Sequence, residues 1–394
     1  MCRGGPRVGC KVTELKGVLK PTFRAQSRQF YLLLALTTLT VLIGLAMVAS
    51  ASTVDSFKQS ANAGATFLRQ GGFAIIGVAA LAITSNLPLG FLRRIGAIAL
   101  YITLGLQLAT VILSVEINGN RNWLDLGFTS IQPSEFLKLG LILAFSHQLA
   151  QLSDDAIRNR QIWLRIFGAS VAALFLVVAL GKDMGTGVVM VVMLMGLFII
   201  AGMPWSYTMG ISLLGVGAAA LLVIGSPSRL TRFDAWLNPE AADPMGVRWQ
   251  YEHGTWALAS GGIWGTGLGR SKLKWSWIPE VENDFIFAVI GEELGLIGAM
   301  VVILLFLALG LTMFSIAKNQ TNSFSRNLVV GVMLWVVFQG LINISVVLGL
   351  LPVLGVPLPL ISAGGSSLIS TLAAIGVVLA VERDRVKSLG RVTR

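Results

Sequence analysis

The chain has 394 residues, 55% of them hydrophobic and only 12% charged, which excludes a soluble domain of this size and indicates a polytopic membrane protein. The net charge of +11 does not indicate nucleic acid, because the basic residues sit at the ends of apolar runs and form no groove interleaved with aromatics. Cys2 and Cys10, with the isolated His147 and His253, build neither a disulfide framework nor a metal-ligand spacing.

Residues 1–29 read as a solvated basic tail, with seven Lys or Arg against the single acid Glu14. The first apolar run, Phe30–Ser50, ends at Ala49-Ser-Ala51, which mimics a signal-peptidase site. It is too long for a signal peptide and long enough to span, so an uncleaved helix is expected. Further spans are expected at about 66–85, 93–115, 134–152, 162–180, 184–203, 205–225, 285–316, 327–350 and 360–381. The expected fold is all-α, with about ten transmembrane helices over 30–385, a large loop at 226–283 and a short basic tail at 386–394.

Lysine and arginine set the orientation. With the N-terminus inside, the inner segments carry 19 of them and the short outer segments 4. Both termini are then cytoplasmic and the 226–283 loop is external. That loop holds six of the ten tryptophans, and Trp249 and Trp256 share one helical face, as in a helix lying on the bilayer. The run Gly261-Gly-Ile-Trp-Gly-Thr-Gly-Leu-Gly269 lacks the strand–turn–helix context of a dinucleotide fingerprint.

This orientation gathers polar residues at the outer ends of five segments. Arg121 precedes the fourth span, in whose outer turns Glu135 and Lys138 lie three apart, spaced to pair. Lys182 and Asp183 follow the fifth span. Glu280, Glu282 and Asp284 precede the eighth, a long apolar run from Phe285 to about Ile316, and the Ser/Gly turn Ser362–Ser367 precedes the tenth. Cations near helix ends suit a diphosphate, and a carboxylate beside them suits proton transfer from a hydroxyl nucleophile. Displacing a sugar from a lipid diphosphate needs those two features and no second carboxylic acid.

Three blocks carry a family resemblance. They are Asn118-Gly-Asn-Arg-Asn-Trp-Leu124 with Gln132-Pro-Ser-Glu-Phe-Leu-Lys138; Ser260-Gly-Gly262 and Ser271-Lys-Leu-Lys274 leading to Pro279-Glu280 and Asp284-Phe-Ile-Phe-Ala-Val-Ile-Gly-Glu-Glu293; and Asn343-Ile344, Leu350-Leu-Pro352 and Gly355–Ser367. On them the chain resembles the SEDS family (shape, elongation, division and sporulation), and its Asn283–Gly295 and Ile361-Ser-Ala-Gly-Gly365 stretches resemble the division-type branch more than the rod-type one. It departs from the usual pattern at Gly181-Lys182, where Gln-Pro is common, and at Glu282-Asn283, where His-Thr is frequent.

The resemblance implies a peptidoglycan glycosyltransferase in the bacterial cytoplasmic membrane. It would polymerise lipid II onto a lipid-linked glycan at the division septum, beside a class B penicillin-binding transpeptidase and other division-complex membrane proteins. It makes Asp284 the essential acid and matches Arg121, Trp123, Glu135 and Lys138 to motif positions. With Lys182, Asp183, Lys274, Glu280, Ser366 and Ser367 these are the expected substrate-binding residues. A divalent cation, Mg or Mn, is compatible with the acids present, without an identifiable ligand set, and no organic cofactor is expected. The competing readings are a lipid II flippase, for which Glu292 and Glu293 inside the eighth span speak, a rod-type elongation polymerase, and a division scaffold without chemistry.

The 19-to-4 asymmetry makes a topological prediction. Cysteines introduced at Ser228 and Asn238 should react with an impermeant thiol reagent added to intact cells, and one at Asn159 should not. Labelling at Asn159 would invert the topology.

Overall fold

Lipid offers a backbone no hydrogen-bond partner, so an apolar run long enough to span folds as a helix. The computed structural model describes residues 26–53, 56–57, 64–114, 120–125, 127, 129–151, 160–203, 205–225, 227–238, 247–272 and 281–392. The tail 1–25, Asn118 and Gly119, the connection 152–159, and Lys274, Trp275, Trp277 and Glu280 lie outside the described residues. The helices are α1 (Arg28–Ala51), α2 (Ala65–Asn86), α3 (Leu89–Leu113), α4 (Pro133–Leu149), α5 (Arg160–Leu174), α6 (Met184–Ile200), α7 (Trp205–Ile224), α8 (Pro227–Leu237), α9 (Val247–Gly261), α10 (Ile286–Lys318), α11 (Ser323–Val347) and α12 (Gly365–Val392). A short antiparallel ribbon, β1 (Leu124–Asp125) with β2 (Ser130–Ile131), leads into α4.

The protein is a helical, multi-pass membrane protein. Among the described residues, seven helical segments are long and apolar enough to cross a membrane. The three other expected spans fall on α4, α6 and α7. Within the 226–283 stretch lie α8 and α9, and α9 carries both Trp249 and Trp256.

Burial separates centre from periphery. The most apolar stretches of α11 and α12 are 67% and 83% buried inside the protein, against 22% for α2 and 28% for α3, which therefore face lipid. α2 packs along α12, α3 along α4, and α10 against α1, α9 and α11. Buried hydroxyls on these helices turn inward on their own backbone: Thr37, Thr110 and Thr312 each donate to the carbonyl four residues earlier, at 2.7–2.8 Å. At the end where the chain enters α1, Ser27 Oγ donates to the fully buried Glu382 of α12 at 2.5 Å, and Arg385 grips the same carboxylate at 2.6 Å. Arg383 caps the C-terminal end of α2 through the Asn86 carbonyl at 2.7 Å, where a cation complements the helix dipole.

Two helices are irregular. α5 runs on into a π-helical turn, Phe175–Leu180, closed by Gly181 N donating to Leu176 O at 2.9 Å. α10, on the expected eighth span, is interrupted at Gly295, whose φ of 67° and ψ of −167° leave the helix. The chain after α9 is stitched into this break. Thr266 N and Gly267 N donate to the Glu292 and Glu293 carbonyls at 2.9 and 3.0 Å, and Leu296 N donates to Gly262 O at 2.9 Å. The glycine-rich run thus replaces the intrahelical bonds that the break removes.

Gly265 sits in this seam at φ 82°, where a Cβ would overlap the Glu293 carbonyl. Gly265→Ala should cost about 1–3 kcal/mol, seen as a lower thermal midpoint of the detergent-purified protein by scanning fluorimetry. Gly71→Ala, whose new methyl would meet nothing within 4 Å, should leave the midpoint unchanged.

Candidate active site

The site forms where the chain approaches α10 from the loop. Residues 282–284 dock edge-on against the stretch between α11 and α12. Ala363 N donates to Glu282 O at 2.9 Å, and Ser362 Oγ donates to Asn283 O at 2.6 Å while accepting from Leu358 N at 2.8 Å. Asn343 of α11 donates through Nδ2 to the Asp284 carbonyl at 2.8 Å and to the Val356 carbonyl at 2.7 Å. The Asp284 side chain is half-buried, beside Gly355, whose φ of 70° lets the backbone pass with Oδ2 about 3.5 Å from where a Cβ would lie.

Asp284 opens into a cavity of about 280 Å³. Lys182, Arg229 and Arg232 bring cations to its wall, Trp123 and Phe233 bring rings, and Asn120, Asn122, Gln132 and Ser367 bring neutral polar groups. Each cation is placed by backbone geometry. Lys182 adopts φ 59°, between the π turn and α6. Arg229, on α8, donates to the Val178 carbonyl of the π turn at 3.0 Å. Burial, with Arg232 close by, holds the Arg229 guanidinium below its ordinary pKa, and Asp183 opposes the shift. Trp236 Nε1 donates to Gly349 O at 3.0 Å, pinning α8 to the end of α11. Asp183 caps α6, accepting from Thr186 N at 3.0 Å, Asn122 at 3.0 Å and Gln132 at 2.9 Å.

Behind this wall lies a buried charge pair. Lys138 Nζ donates to Glu135 Oε1 at 2.8 Å and to Gln339 Oε1 at 2.7 Å, 4.7 Å above the Trp335 ring; both charged side chains are 1% exposed. Gln339 also accepts from Trp335 Nε1 at 2.8 Å and donates to Pro357 O at 3.0 Å, which links the ion pair to the stretch beside Asp284.

A model of the cell cycle protein family that groups FtsW, RodA and SpoVE matches residues 30–387. The chain belongs to this FtsW/RodA/SpoVE family. It is 36% identical over 382 residues to the probable peptidoglycan glycosyltransferase FtsW of Mycobacterium tuberculosis, covering 95% of this chain and 72% of that protein. It is 36% identical over 354 residues to the stage V sporulation protein E of Bacillus subtilis, covering 89% of this chain and 96% of that one. Among solved structures it is similar to a chain from work on the structural coordination of polymerization and crosslinking by a peptidoglycan synthase complex, with a TM-score of 0.73, 28% identity, and coverage of 92% of this chain and 98% of that one. It is likewise similar to the rod shape determining protein RodA of Thermus thermophilus, with a TM-score of 0.69, 27% identity, and coverage of 93% and 99%.

In this FtsW/RodA/SpoVE chain, the fold gathers Asp284, Lys182, Asp183, Trp123 and Ser367 at one cavity. Glu135 and Lys138 sit behind it, paired as their spacing predicts. Ser366 is structural, accepting from Gln132 N at 2.9 Å. Arg121 is exposed and does not line the cavity; its main-chain N–H donates to Gly181 O at 3.0 Å and so steadies the Lys182 turn. Arg229 and Arg232 replace it as cavity cations, and sequence reasoning missed them. The available signal was their i,i+3 spacing within an amphipathic stretch of the loop, beside Phe233 and Trp236. Gln339 was missed as well, and Asn122 and Ser362, though inside the motif stretches, were given no individual role.

Glu292 and Glu293 form no polar path. They hold the stitched loop, Glu292 accepting from Lys272 N at 2.9 Å and Glu293 from Ser271 N at 3.1 Å and from Ser50 of α1 at 2.7 Å. As for the expected divalent cation, the described residues contain no group of three or more His, Cys, Asp or Glu suited to a metal. The two Asp183 oxygens already accept three protein hydrogen bonds.

Removing one partner of a buried pair leaves an uncompensated charge, at a cost of about 3–5 kcal/mol. Lys138→Ala and Glu135→Ala should each sharply lower folded protein or activity, and the double variant should lose far less than the sum. Additive losses in that cycle would refute an energetic coupling.

Proposed function

We propose that the chain is a peptidoglycan glycosyltransferase that polymerises lipid II at the outer face of the cytoplasmic membrane, in septal wall synthesis. The observation that carries this reading is the Asp284 carboxylate at a cavity whose wall holds Lys182, Arg229 and Arg232; the other carboxylate among the described lining residues, Asp183, is engaged in capping α6 and in bonds from Asn122 and Gln132. The excess of Lys and Arg on the opposite side supports an extracytoplasmic site and cytoplasmic termini. The relatives named FtsW support a division role, and the likeness to a peptidoglycan synthase complex supports a class B transpeptidase as partner.

The chemistry follows from the charges. The C4 hydroxyl oxygen of lipid II attacks the anomeric carbon of the lipid-linked glycan as its proton passes to the Asp284 carboxylate. The bond from that carbon to the diphosphate oxygen breaks on the opposite side, with inversion, and the electron pair leaves on the diphosphate. Lys182, Arg229 and Arg232 stabilise the charge that develops there. Trp123 offers the sugar an aromatic face. Among the described residues no group of three or more His, Cys, Asp or Glu composes a metal site, and no step is assigned to a cation.

A flippase needs polar groups through the whole depth of the membrane. The two deep glutamates that favoured it are occupied in holding a loop to α10 and α1.

Asp284→Asn keeps the shape and removes the basic oxygen. It should lower glycan polymerisation by about 10²–10⁴-fold in a reconstitution with purified lipid II, while folding and partner binding persist. Near-parental polymerisation by this variant would refute Asp284 as the base. Transport of lipid II across vesicle membranes without polymerisation by the parent would favour the flippase.

A further inference from the structure

A general base on a loop works only if its carboxylate is held at the right distance from the nucleophile, and about 1 Å of misplacement costs roughly 10²-fold in rate. Asp284 is not within a helix, so no intrahelical ladder fixes it. It lies in a turn, one residue ahead of Phe285, the residue that caps α10, and the outer part of that helix extends only from Ile286 to the break at Gly295. Its position is therefore set by whatever grips its backbone.

We propose that Asn343 is the positioning residue of the catalytic aspartate, an inference that rests on Asp284 being the base. Asn343 lies on α11, the 67%-buried helix, and is itself 1% exposed. Its single amide nitrogen spends both hydrogens on carbonyls from two different segments: that of Asp284 at 2.8 Å and that of Val356 at 2.7 Å. The first fixes the main chain of the base. The second fixes the residue after Gly355, where the backbone passes beside Asp284 Oδ2. One rigid side chain thus sets the gap between the carboxylate and the wall opposite it. Asparagine is suited to this because its amide presents two donors in a plane, which neither aspartate nor leucine can do at the same volume.

Ser362 clamps the neighbouring peptide in parallel. It donates to Asn283 O at 2.6 Å and accepts from Leu358 N at 2.8 Å, again joining the two segments. The two clamps grip consecutive residues from different elements, so the carboxylate has little freedom to swing. Neither side chain lines the cavity, so neither is placed to touch substrate.

The test uses the full-length protein purified with its transpeptidase partner and assayed on lipid II. Asn343→Leu removes both donors at similar size, Ser362→Ala removes the parallel clamp, and Asp284→Asn tests the base itself. For each clamp variant that elutes as a single species, kcat should fall by about 10- to 100-fold while the lipid II concentration for half-maximal rate and the affinity for the partner stay within about twofold. A residue that only stabilised the fold would reduce the yield and leave the kcat of the folded fraction unchanged, and that result would overturn the proposal. So would a parallel loss of kcat and lipid II affinity, or the failure of both clamp variants to give a single species. The parent reading fails separately. If Asp284→Asn retains its rate, the base is misassigned whatever Asn343 does. If Asp284→Asn is inactive and both clamp variants are fast, only the positioning role is lost.

Discussion

The structure depends on one constraint: no backbone amide may go unpaired where lipid or packed protein surrounds it. Helices satisfy this without help, but an active site needs chain that is not helical. Here each irregular stretch is satisfied by a specific partner. The π turn in front of Lys182 gives its Val178 carbonyl to Arg229, and the break at Gly295 is filled by the glycine-rich chain after α9. The stretch between α11 and α12 is held by Gln339 and Asn343 from one side and by Gln70 of α2 from another, whose Nε2 donates to Ser362 O at 3.2 Å. The shape of the cavity follows from where these partners sit.

Charge is divided along the same lines. The Glu135–Lys138 pair is sealed from water, so its desolvation cost is offset only while both partners and Gln339 stay in place. Such a pair gives specificity of structure more than stability, and it transmits that specificity through Gln339 to Pro357. The cations on the cavity wall are less enclosed: Arg229 and Arg232 are only half-buried. They can therefore exchange water for an anionic ligand without a large desolvation cost.

Much of this was legible in the sequence. Apolar runs marked the spans. The three-residue spacing of Glu135 and Lys138 was enough to foresee their contact, because a helix fixes that geometry locally. Asp284 stood out as an acid at a lipid boundary. What could not be read was set by partners distant in sequence. Hydropathy counts Gly295 as one more small residue and is blind to the hydrogen bonds that end a helix there; the clue lay some thirty residues earlier, in glycines that made no sense as a nucleotide loop. Arg229 reaches the cavity because a carbonyl 51 residues away accepts from it, and no local pattern announces that. Arg121 was expected to bring its cation to the site, but it is its backbone that bonds there, to Gly181 O, and its side chain does not line the cavity.

The burial of α12 has a consequence for biogenesis. This helix follows the other eleven in the chain, yet it is among the most buried, packed against α2 along its length and locked to the start of α1 through Glu382 and Ser27. Until it leaves the ribosome and enters the bilayer, the inner face of α2 has no protein neighbour there, and Gln70 and the Asn86 end must be shielded by lipid headgroups, water or the insertion machinery. Assembly therefore cannot proceed to completion span by span. The early helices wait as a partial bundle, and the arrival of α12 brings Ser367 to the cavity wall in the same event that locks α1 and α2, so a chain without α12 lacks the complete cavity.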